Sequence, residues 1–507
     1  MIVMIGWIAI VATPLAVPGL IAWTNTHAWE GVNYLLGSGW AIVSGLLTLF
    51  ARRGSASRKP GAAVRVAMAV APYFFAVGLI ILLTSGLYEI LAVVDTENSN
   101  QQLVVPWPEK GTFAAYLAVG IVRLGGIAPA SCAILLGASF SIAMLFSLCV
   151  DVNRFSLHDF YRNRLVRCYL GASNPARHQP FGRINDVDPF TAFSESDDIA
   201  MELLRGNSRP YHIVNAAVNI VKVGRLAWQE RKAAPFVFTP YYCGYALSEH
   251  GGSEDQWSFR VTSGYANSIG PGSGVTLGTA MAISGAAVSP NMGMLTTPAF
   301  AALMTVLNLR LGTWMPNPGA RQPVQMASPA VAAYYLFLEL FGLTDEKKDY
   351  VYLSDGGHFE NLGVYELVRR RCRLILAVDA GADPNRTFED IGNCIRKCQV
   401  DLGVRITLDV ENLKVRRDGT SDIACVEGEI HYTEGESGKL IYVKPSNFPS
   451  SEKLAQLMSF HLVHKDFPHQ STADQWFDES QLESYRVLGE LAGQSVIKVL
   501  KQGASVA

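Results

Sequence analysis

The chain has 507 residues, enough for two or three domains, yet only 17% of them are charged and the mean hydropathy is positive. A net charge of −2 provides no general attraction to phosphate, so nucleic acid is excluded as an expected partner. The eight cysteines form no Cys-x-x-Cys pair and no dense framework, which argues against a small disulfide-stabilised secreted domain and favours a reducing environment.

Uncharged segments of membrane-spanning length dominate the first 150 residues. Each is long enough to cross a hydrocarbon core of ~30 Å as a helix, and together they comprise residues 1–23, 31–50, 66–88 and 127–150. The first segment lacks the basic start of a signal peptide, because the first Lys or Arg of the chain is Arg52. We therefore expect a membrane region over residues 1–150 with four transmembrane helices.

The basic residues beside these segments predict their orientation, because basic loops are retained on the cytoplasmic side. They are concentrated between the second and third segments and after the fourth, whereas the two opposite loops hold only Lys110 and Arg123. The concentrated residues are Arg52, Arg53, Arg58, Lys59, Arg65, Arg154, Arg162, Arg164 and Arg167. This distribution predicts a multi-pass integral membrane protein whose soluble domain, residues 151–507, is cytoplasmic.

The first half of that domain alternates between strand-like and helix-like patterns. Short aromatic and β-branched runs at residues 235–244 and 257–262 predict strands. Small or apolar residues predict helices at 276–287, 298–309 and 329–341.

A strand, helix and strand follow at residues 350–354, 359–371 and 373–379. This β-α-β order predicts a mostly parallel sheet with helices on its faces. The remaining pattern predicts a helix at 387–400, a strand at 404–410, a hairpin at 425–433 and 439–444, and a last helix at 479–501.

Asp355 lies at the carboxyl end of the 350–354 strand, where functional side chains of parallel sheets gather. One interpretation is structural, because Asp-Gly is a turn signal and an Asp before a helix can accept hydrogen bonds from its first amides. The other is catalytic: the following glycines let backbone approach closely, and the carboxylate could accept a proton from a serine that attacks an ester. The residues leave both interpretations open.

A serine nucleophile is normally exposed by a Gly-x-Ser-x-Gly turn, and the sequence contains no such motif. The nearest segment is Ala282-Ile283-Ser284-Gly285-Ala286. Its small residues are interpreted as serving tight helix packing rather than exposing a nucleophile. The glycine-rich stretch 270–274 lacks the Lys-Ser/Thr of a P-loop and is rejected as a nucleotide site.

No metal or cofactor is expected. His358 is interpreted as a polar residue at a helix start, and Cys394 and Cys398 share a helix face without a second ligand pair. The basic residues at 369–371 and 373 are interpreted as a solvated helix end.

The segment from Tyr352 to Pro384 contains Ser-Asp-Gly-Gly-His-Phe-Glu-Asn and Leu-Ile-Leu-Ala-Val-Asp-Ala-Gly-Ala-Asp, and it resembles the second catalytic block of bacterial membrane-associated patatin-like phospholipases. Residues 283–293, 308–312 and 471–477 resemble the same family, so that the resemblance covers most of residues 150–490. It implies an α/β acyl hydrolase in which a serine attacks a lipid ester and Asp355 is the general base.

That family carries a Gly-Gly-Gly-x-Arg/Lys oxyanion loop and a Gly-x-Ser-x-Gly elbow before the membrane spans, and this sequence has neither. The resemblance therefore implies transmembrane α-helices followed by an incomplete patatin-like domain that supplies the Asp of a Ser-Asp dyad. Membrane lipids are the expected substrates, and an upstream nucleophile-bearing half is an expected partner. The alternative is a non-catalytic membrane scaffold or regulatory protein that retains the fold.

Overall fold

The computed structural model describes residues 115, 119, 129–174, 187–206, 210–221, 231–246, 257–266, 274–290, 301, 304–305, 308–320, 326–413, 421, 423–444, 455–470 and 477–504. The chain divides into two compact units, Met1–Cys149 and Val150–Ala507.

The first unit contains helix α1, Pro129–Cys149, which overlaps the predicted segment 127–150. The predicted segments 1–23, 31–50 and 66–88 lie outside the described residues. No run of fully described residues forms a helix that is long and apolar enough to cross a membrane. The prediction of a multi-pass integral membrane protein with a cytoplasmic domain is contradicted by this finding. It depended on uncharged length, which does not by itself distinguish a lipid-facing helix from one buried in protein.

The second unit contains a six-stranded sheet in which every pair of neighbours is antiparallel. Its strand order is β4-β3-β2-β1-β6-β5. The strands are β1 (Val214–Asn219), β2 (Ala233–Phe238), β3 (Tyr242–Ala246), β4 (Trp257–Val261), β5 (Thr313–Pro316) and β6 (Tyr350–Asp355). The segment 235–244, which the sequence predicts as one strand, is therefore divided between β2 and β3.

A second sheet has four strands in the order β7-β10-β9-β8. Its strands are β7 (Leu374–Val378), β8 (Arg405–Leu408), β9 (Cys425–His431) and β10 (Ser437–Val443). The pair β7–β10 is parallel, and the pairs β9–β10 and β8–β9 are antiparallel.

The prediction of a mostly parallel, patatin-like α/β sheet is therefore wrong. It assumed that β6 and β7 are neighbours, but they belong to different sheets. The helix between them, α5 (Val364–Arg369), has six residues and is only about 9 Å long at 1.5 Å per residue. A strand-helix-strand pattern gives the order of the elements and does not determine which strands pair.

The other helices in the described part of the second unit are α2 (Leu157–Leu165), α3 (Leu277–Ser284), α4 (Ala332–Leu340), α6 (Glu389–Leu402), α7 (Ala455–Val463) and α8 (Glu479–Ala504). A π-helical turn, Val166–Gly171, continues α2. The helices predicted at 276–287, 329–341, 387–400 and 479–501 and the hairpin at 425–444 are confirmed, with shifted ends.

Strand β6 contributes side chains to two hydrophobic cores, because successive side chains alternate between the two faces of the sheet. Val351 and Leu353 belong to the main core, whereas Tyr350 and Tyr352 pack with Trp314 on the other face. The same alternation places Asp355 on the face of Val351 and Leu353. The Asp355 carboxylate therefore lies at the end of the sheet, at the edge of the main core.

A candidate active site at Asp355

Asp355 lines a cleft of about 260 Å³ at the end of β6. The cleft is lined by residues from β1, the end of α3 and the segment after β6: Ile213, Val214, Asn215, Ser284, Asp355, Gly356, Gly357, Glu360, Asn361, Leu362 and Gly363. Ser284 and Asp355, which are 71 positions apart in the sequence, therefore line one cleft.

The Asp355 carboxylate has a defined local structure. Asp355 pairs with Ala216 of β1 and is the N-cap of the 3-10 turn Gly356–His358. Its Oδ1 accepts a hydrogen bond of 2.7 Å from the Gly357 amide in that turn. Burial raises the pKa of Asp355 to about 6, and the Gly357 hydrogen bond opposes that shift. The structural interpretation of Asp355 as a turn residue is confirmed, and the raised pKa is also what a general base near neutral pH requires.

Close backbone contacts explain the two glycines after Asp355. A Cβ at Gly356 would lie 2.9 Å from the carbonyl oxygen of Asn215, and one at Gly357 would lie 2.7 Å from Oδ1 of Asn361. Any larger residue would push β1 or the 361 side chain away from the carboxylate.

Ser284 is the last residue of α3 and is half-buried in the cleft wall. The Asp355 amide donates a 3.4 Å hydrogen bond to the carbonyl of Ala286, which holds the chain after α3 against the end of β6. A Cβ at Gly285 would lie 2.6 Å from the Tyr161 hydroxyl. The small residues here do serve tight packing, as the sequence suggests, but that packing involves Gly285 and leaves Ser284 in the cleft.

The cleft is also lined by two polar residues to which the sequence analysis gave no individual role. Glu360 accepts hydrogen bonds from the amides of Leu362 at 2.6 Å and Tyr365 at 3.1 Å, and its burial raises its pKa. Asn361 donates a 3.0 Å hydrogen bond to Asp390 of α6. Both follow Asp355 closely in sequence, so proximity to the Asp-Gly-Gly turn was the available signal.

Asn215 also lines the cleft. No pattern in the sequence connects it with Asp355, because it belongs to β1, which is distant in the chain. Gly363, the N-cap residue of α5, has φ of +70°, and a Cβ there would lie 2.9 Å from Nδ2 of Asn215. A side chain at position 363 would therefore clash with Asn215.

His358 lies outside the set of cleft residues. Its Nδ1 is 2.7 Å from Oγ of Ser354, which also accepts a 2.7 Å hydrogen bond from Nδ2 of Asn219. Ser354 is fully buried, so this network stabilises the junction between β1 and β6.

The remaining residues that the sequence singled out are elsewhere. Arg369 and Arg370 pair with Glu366, and Arg371 pairs with Glu434. Cys394 and Cys398 are buried in α6. Across the described ranges, no group of three or more His, Cys, Asp or Glu residues could hold a metal ion. Of the stretch 270–274, only Gly274 is described.

Comparison with known proteins finds no matching family model, no matching curated protein and no matching solved structure. The resemblance to patatin-like phospholipases therefore stays an expectation from the sequence.

Proposed function

We propose that this chain is a carboxylic-ester hydrolase in which Asp355 is the general base for the hydroxyl of Ser284. The observation that carries the proposal is their position in one cleft, at the ends of β6 and α3. Together they supply the nucleophile and base that a two-residue acyl transfer requires.

In the first step the Asp355 carboxylate takes the proton of Ser284 while Oγ attacks the ester carbonyl carbon. The bond to the alcohol oxygen then breaks, and the proton passes from Asp355 to that oxygen, releasing the alcohol. Water, deprotonated by the same carboxylate, attacks the acyl carbon; the bond from that carbon to Oγ then breaks, Oγ takes the proton back from Asp355, and the acid is released. The carboxylate and the hydroxyl are regenerated, so atoms and charge balance.

The pKa of about 6 suits this role. At pH 7 about nine in ten Asp355 side chains are ionised, while the carboxylate is about a hundredfold more basic than one with the ordinary value of 3.8. Burial thus increases basicity without removing the ionised form at neutral pH.

The cleft limits what can bind there. Its volume of about 260 Å³ lies below the range for drug-sized ligands, so a short acyl group or the ester end of a longer molecule fits. Among the described residues that line it, none is Lys or Arg, whereas Asp355 and Glu360 are acidic. An uncharged ester is therefore favoured. Lipid esters stay within this proposal, because only the ester group and the adjacent carbons have to enter.

The test is hydrolysis of p-nitrophenyl butyrate by the purified full chain and its variants. Ser284→Ala and Asp355→Asn should each lower kcat/KM by about 10³-fold or more. Ser173→Ala and Asp188→Asn, at exposed positions away from the cleft, are the matched controls and should retain activity.

A fluorophosphonate ester gives a second readout, because it should phosphonylate Ser284, which peptide mass spectrometry locates. Hydrolysis that survives Ser284→Ala and is lost in Asp355→Asn would show that another hydroxyl is the nucleophile. No hydrolysis by the unmodified chain would contradict the proposal and favour a non-catalytic scaffold or regulatory role.

A further inference from the structure

The amides around Ser284 are already occupied. The amide of the residue after a nucleophile commonly stabilises the oxyanion, but here the Gly285 amide donates to the Met281 carbonyl at 3.0 Å. The Ala286 and Ala287 amides likewise donate to carbonyls of the same segment, at 3.1 and 2.8 Å. An ester attacked by Ser284 therefore needs a hydrogen-bond donor from another element.

The end of α3 adds to this need. Ser284 is the last residue of the helix, and the carboxyl end of a helix carries partial negative charge from its carbonyl groups. That charge opposes an oxyanion nearby. An amino-terminal helix end, as in a Gly-x-Ser-x-Gly elbow, would have the opposite effect.

Tyr161 of α2 is the phenol next to this segment. Its hydroxyl lies 2.6 Å from the Cβ position of Gly285, and its ring carbons Cε1 and Cζ lie 3.5 Å from the same point. Burial first and then the charge of Asp355 raise the pKa of Tyr161, so its proton is retained and the carboxylate is within electrostatic range. Within the described part of the chain, this hydroxyl has no hydrogen-bond partner.

The position of Tyr161 is fixed by contacts between α2 and its neighbours. Asp198 accepts a 2.7 Å hydrogen bond from the Gly278 amide of α3, and its Oδ2 is 3.9 Å from Nε of Arg162 on α2. One turn earlier in α2, Nδ1 of the buried His158 is 2.8 Å from the carbonyl oxygen of Leu311. A donor held in this way needs little reorganisation during the reaction.

We propose that Tyr161 donates the hydrogen bond that stabilises the oxyanion of the acyl transfer at Ser284. The inference rests on the proposed ester hydrolysis. As the carbonyl carbon becomes tetrahedral, its oxygen gains negative charge and accepts the phenolic O–H, which keeps its proton throughout. When the carbonyl re-forms, the hydrogen bond weakens and the alcohol leaves with the proton from Asp355.

Tyr161→Phe tests this role in the full chain, with Tyr169→Phe as the control for loss of a nearby but exposed phenol. Removal of one oxyanion donor should lower kcat by about 10²–10³-fold and leave KM within about twofold. The second-order rate of phosphonylation by the fluorophosphonate should fall in parallel, because its P=O oxygen gains the same charge. The Tm of Tyr161→Phe should match that of the unmodified chain, and Tyr169→Phe should change neither rate.

The outcomes separate the two proposals. If Ser284→Ala and Asp355→Asn are inactive but Tyr161→Phe keeps full kcat, the role of Tyr161 is overturned and the dyad stands. A Tyr161→Phe variant whose kcat falls only together with a lower Tm and a raised KM would show a structural residue, and this also overturns it. If the unmodified chain does not hydrolyse the ester, both proposals fail.

Discussion

The hydroxyl of Tyr161 lies 2.6 Å from the point where a Cβ at residue 285 would stand. Gly285 has φ of −99°, which any residue can adopt, so an added methyl group meets only a steric obstacle. The contact joins α2 to the end of α3, beside Ser284. It also gives a direct test of the site's geometry that does not depend on activity.

We expect Gly285→Ala to lower the free energy of unfolding by about 1–3 kcal/mol through overpacking. Adding Tyr161→Phe should restore most of that loss, because the clashing atom is the hydroxyl oxygen. Urea unfolding of the single and double variants measures the coupling. Gly392→Ala, in α6 with no atom within 4 Å of its Cβ position, is the control and should stabilise by up to about 1 kcal/mol. Equal losses with and without the hydroxyl would contradict this placement.

The raised pKa of Asp355 predicts the pH dependence of hydrolysis. Because the ionised carboxylate is the base, kcat/KM should rise with pH, reach half its maximum at about pH 6, and then level off. Below the midpoint the loss should approach about tenfold per pH unit. Initial rates with p-nitrophenyl butyrate, corrected for p-nitrophenol ionisation, give the profile. A midpoint near the ordinary value of 3.8 would show that the base is not the buried Asp355.

The raised pKa of Asp355 also predicts that this residue makes the fold less stable as the pH rises, whereas it makes hydrolysis faster. Between 3.8 and about 6 the folded chain binds more protons at Asp355 than the unfolded chain, so this group lowers stability as the pH rises through that window. Asp355→Asn removes the effect and keeps an oxygen for the Gly357 amide. We expect it to raise the free energy of unfolding at pH 8 by about 1–3 kcal/mol. Below pH 3.8 the two proteins should unfold alike, and a destabilised variant at pH 8 would contradict the prediction.

Arg310 and Glu339 form an ion pair with no solvent-exposed side-chain surface. Arg310 also donates to the Val152 carbonyl, and Trp314 donates its indole N–H to Glu339 at 2.5 Å. Arg310→Met leaves a buried carboxyl without its cation and should cost about 3–5 kcal/mol of unfolding free energy. Chemical denaturation measures it.

The double variant Arg310→Met with Glu339→Met should lose less than Arg310→Met alone, because the desolvated carboxyl is removed as well. The exposed pair Arg486 and Glu483 is the comparison, and Arg486→Met should cost at most about 1 kcal/mol. Similar losses of unfolding free energy at the two sites would show that burial does not increase the contribution of the Arg310–Glu339 pair to stability.

His469 should make the fold sensitive to acid. Burial, together with Arg386 and Lys444, lowers the pKa of His469 to about 4. The unfolded chain therefore binds the proton first, so the stability from neutral His469 is full above 6.5 and is lost as the pH falls towards 4. His469→Asn keeps an acceptor for the Asp383 amide, which lies 3.2 Å from Nδ1 of His469.

The difference in unfolding free energy between this variant and the unmodified chain should change by about 1–3 kcal/mol between pH 7 and pH 4, in favour of the variant at low pH. The comparison within one pH series separates His469 from Asp355, whose effect has the opposite sign. Parallel curves for the two proteins would contradict the prediction.

Local patterns in the sequence correctly indicated many of the elements. The apolar runs ending at Asp355 and Val378 are strands, the periodic stretches at α6 and α8 are helices, and Asp355 begins a turn that needs its two glycines. These features depend on residues within a few positions of each other, so composition and periodicity are sufficient to predict them.

The membrane and parallel-sheet predictions failed for a related reason. Uncharged length and strand-helix-strand order are also local, but they were used to infer the surroundings of a helix and the partner of a strand. In the structure, β6 pairs antiparallel with β1 and β5, which lie far from it in sequence.

The sequence by itself determined Asp355 as a carboxylate at a strand end, before two glycines. Only the tertiary structure brought Ser284 and Asn215 into one cleft with it, placed Tyr161 within the range of its charge, and raised its pKa to about 6. The physical reason is that burial and proximity come from the pairing of β1 with β6 and the packing of α2 on α3. Those contacts join residues that no local pattern in the chain relates.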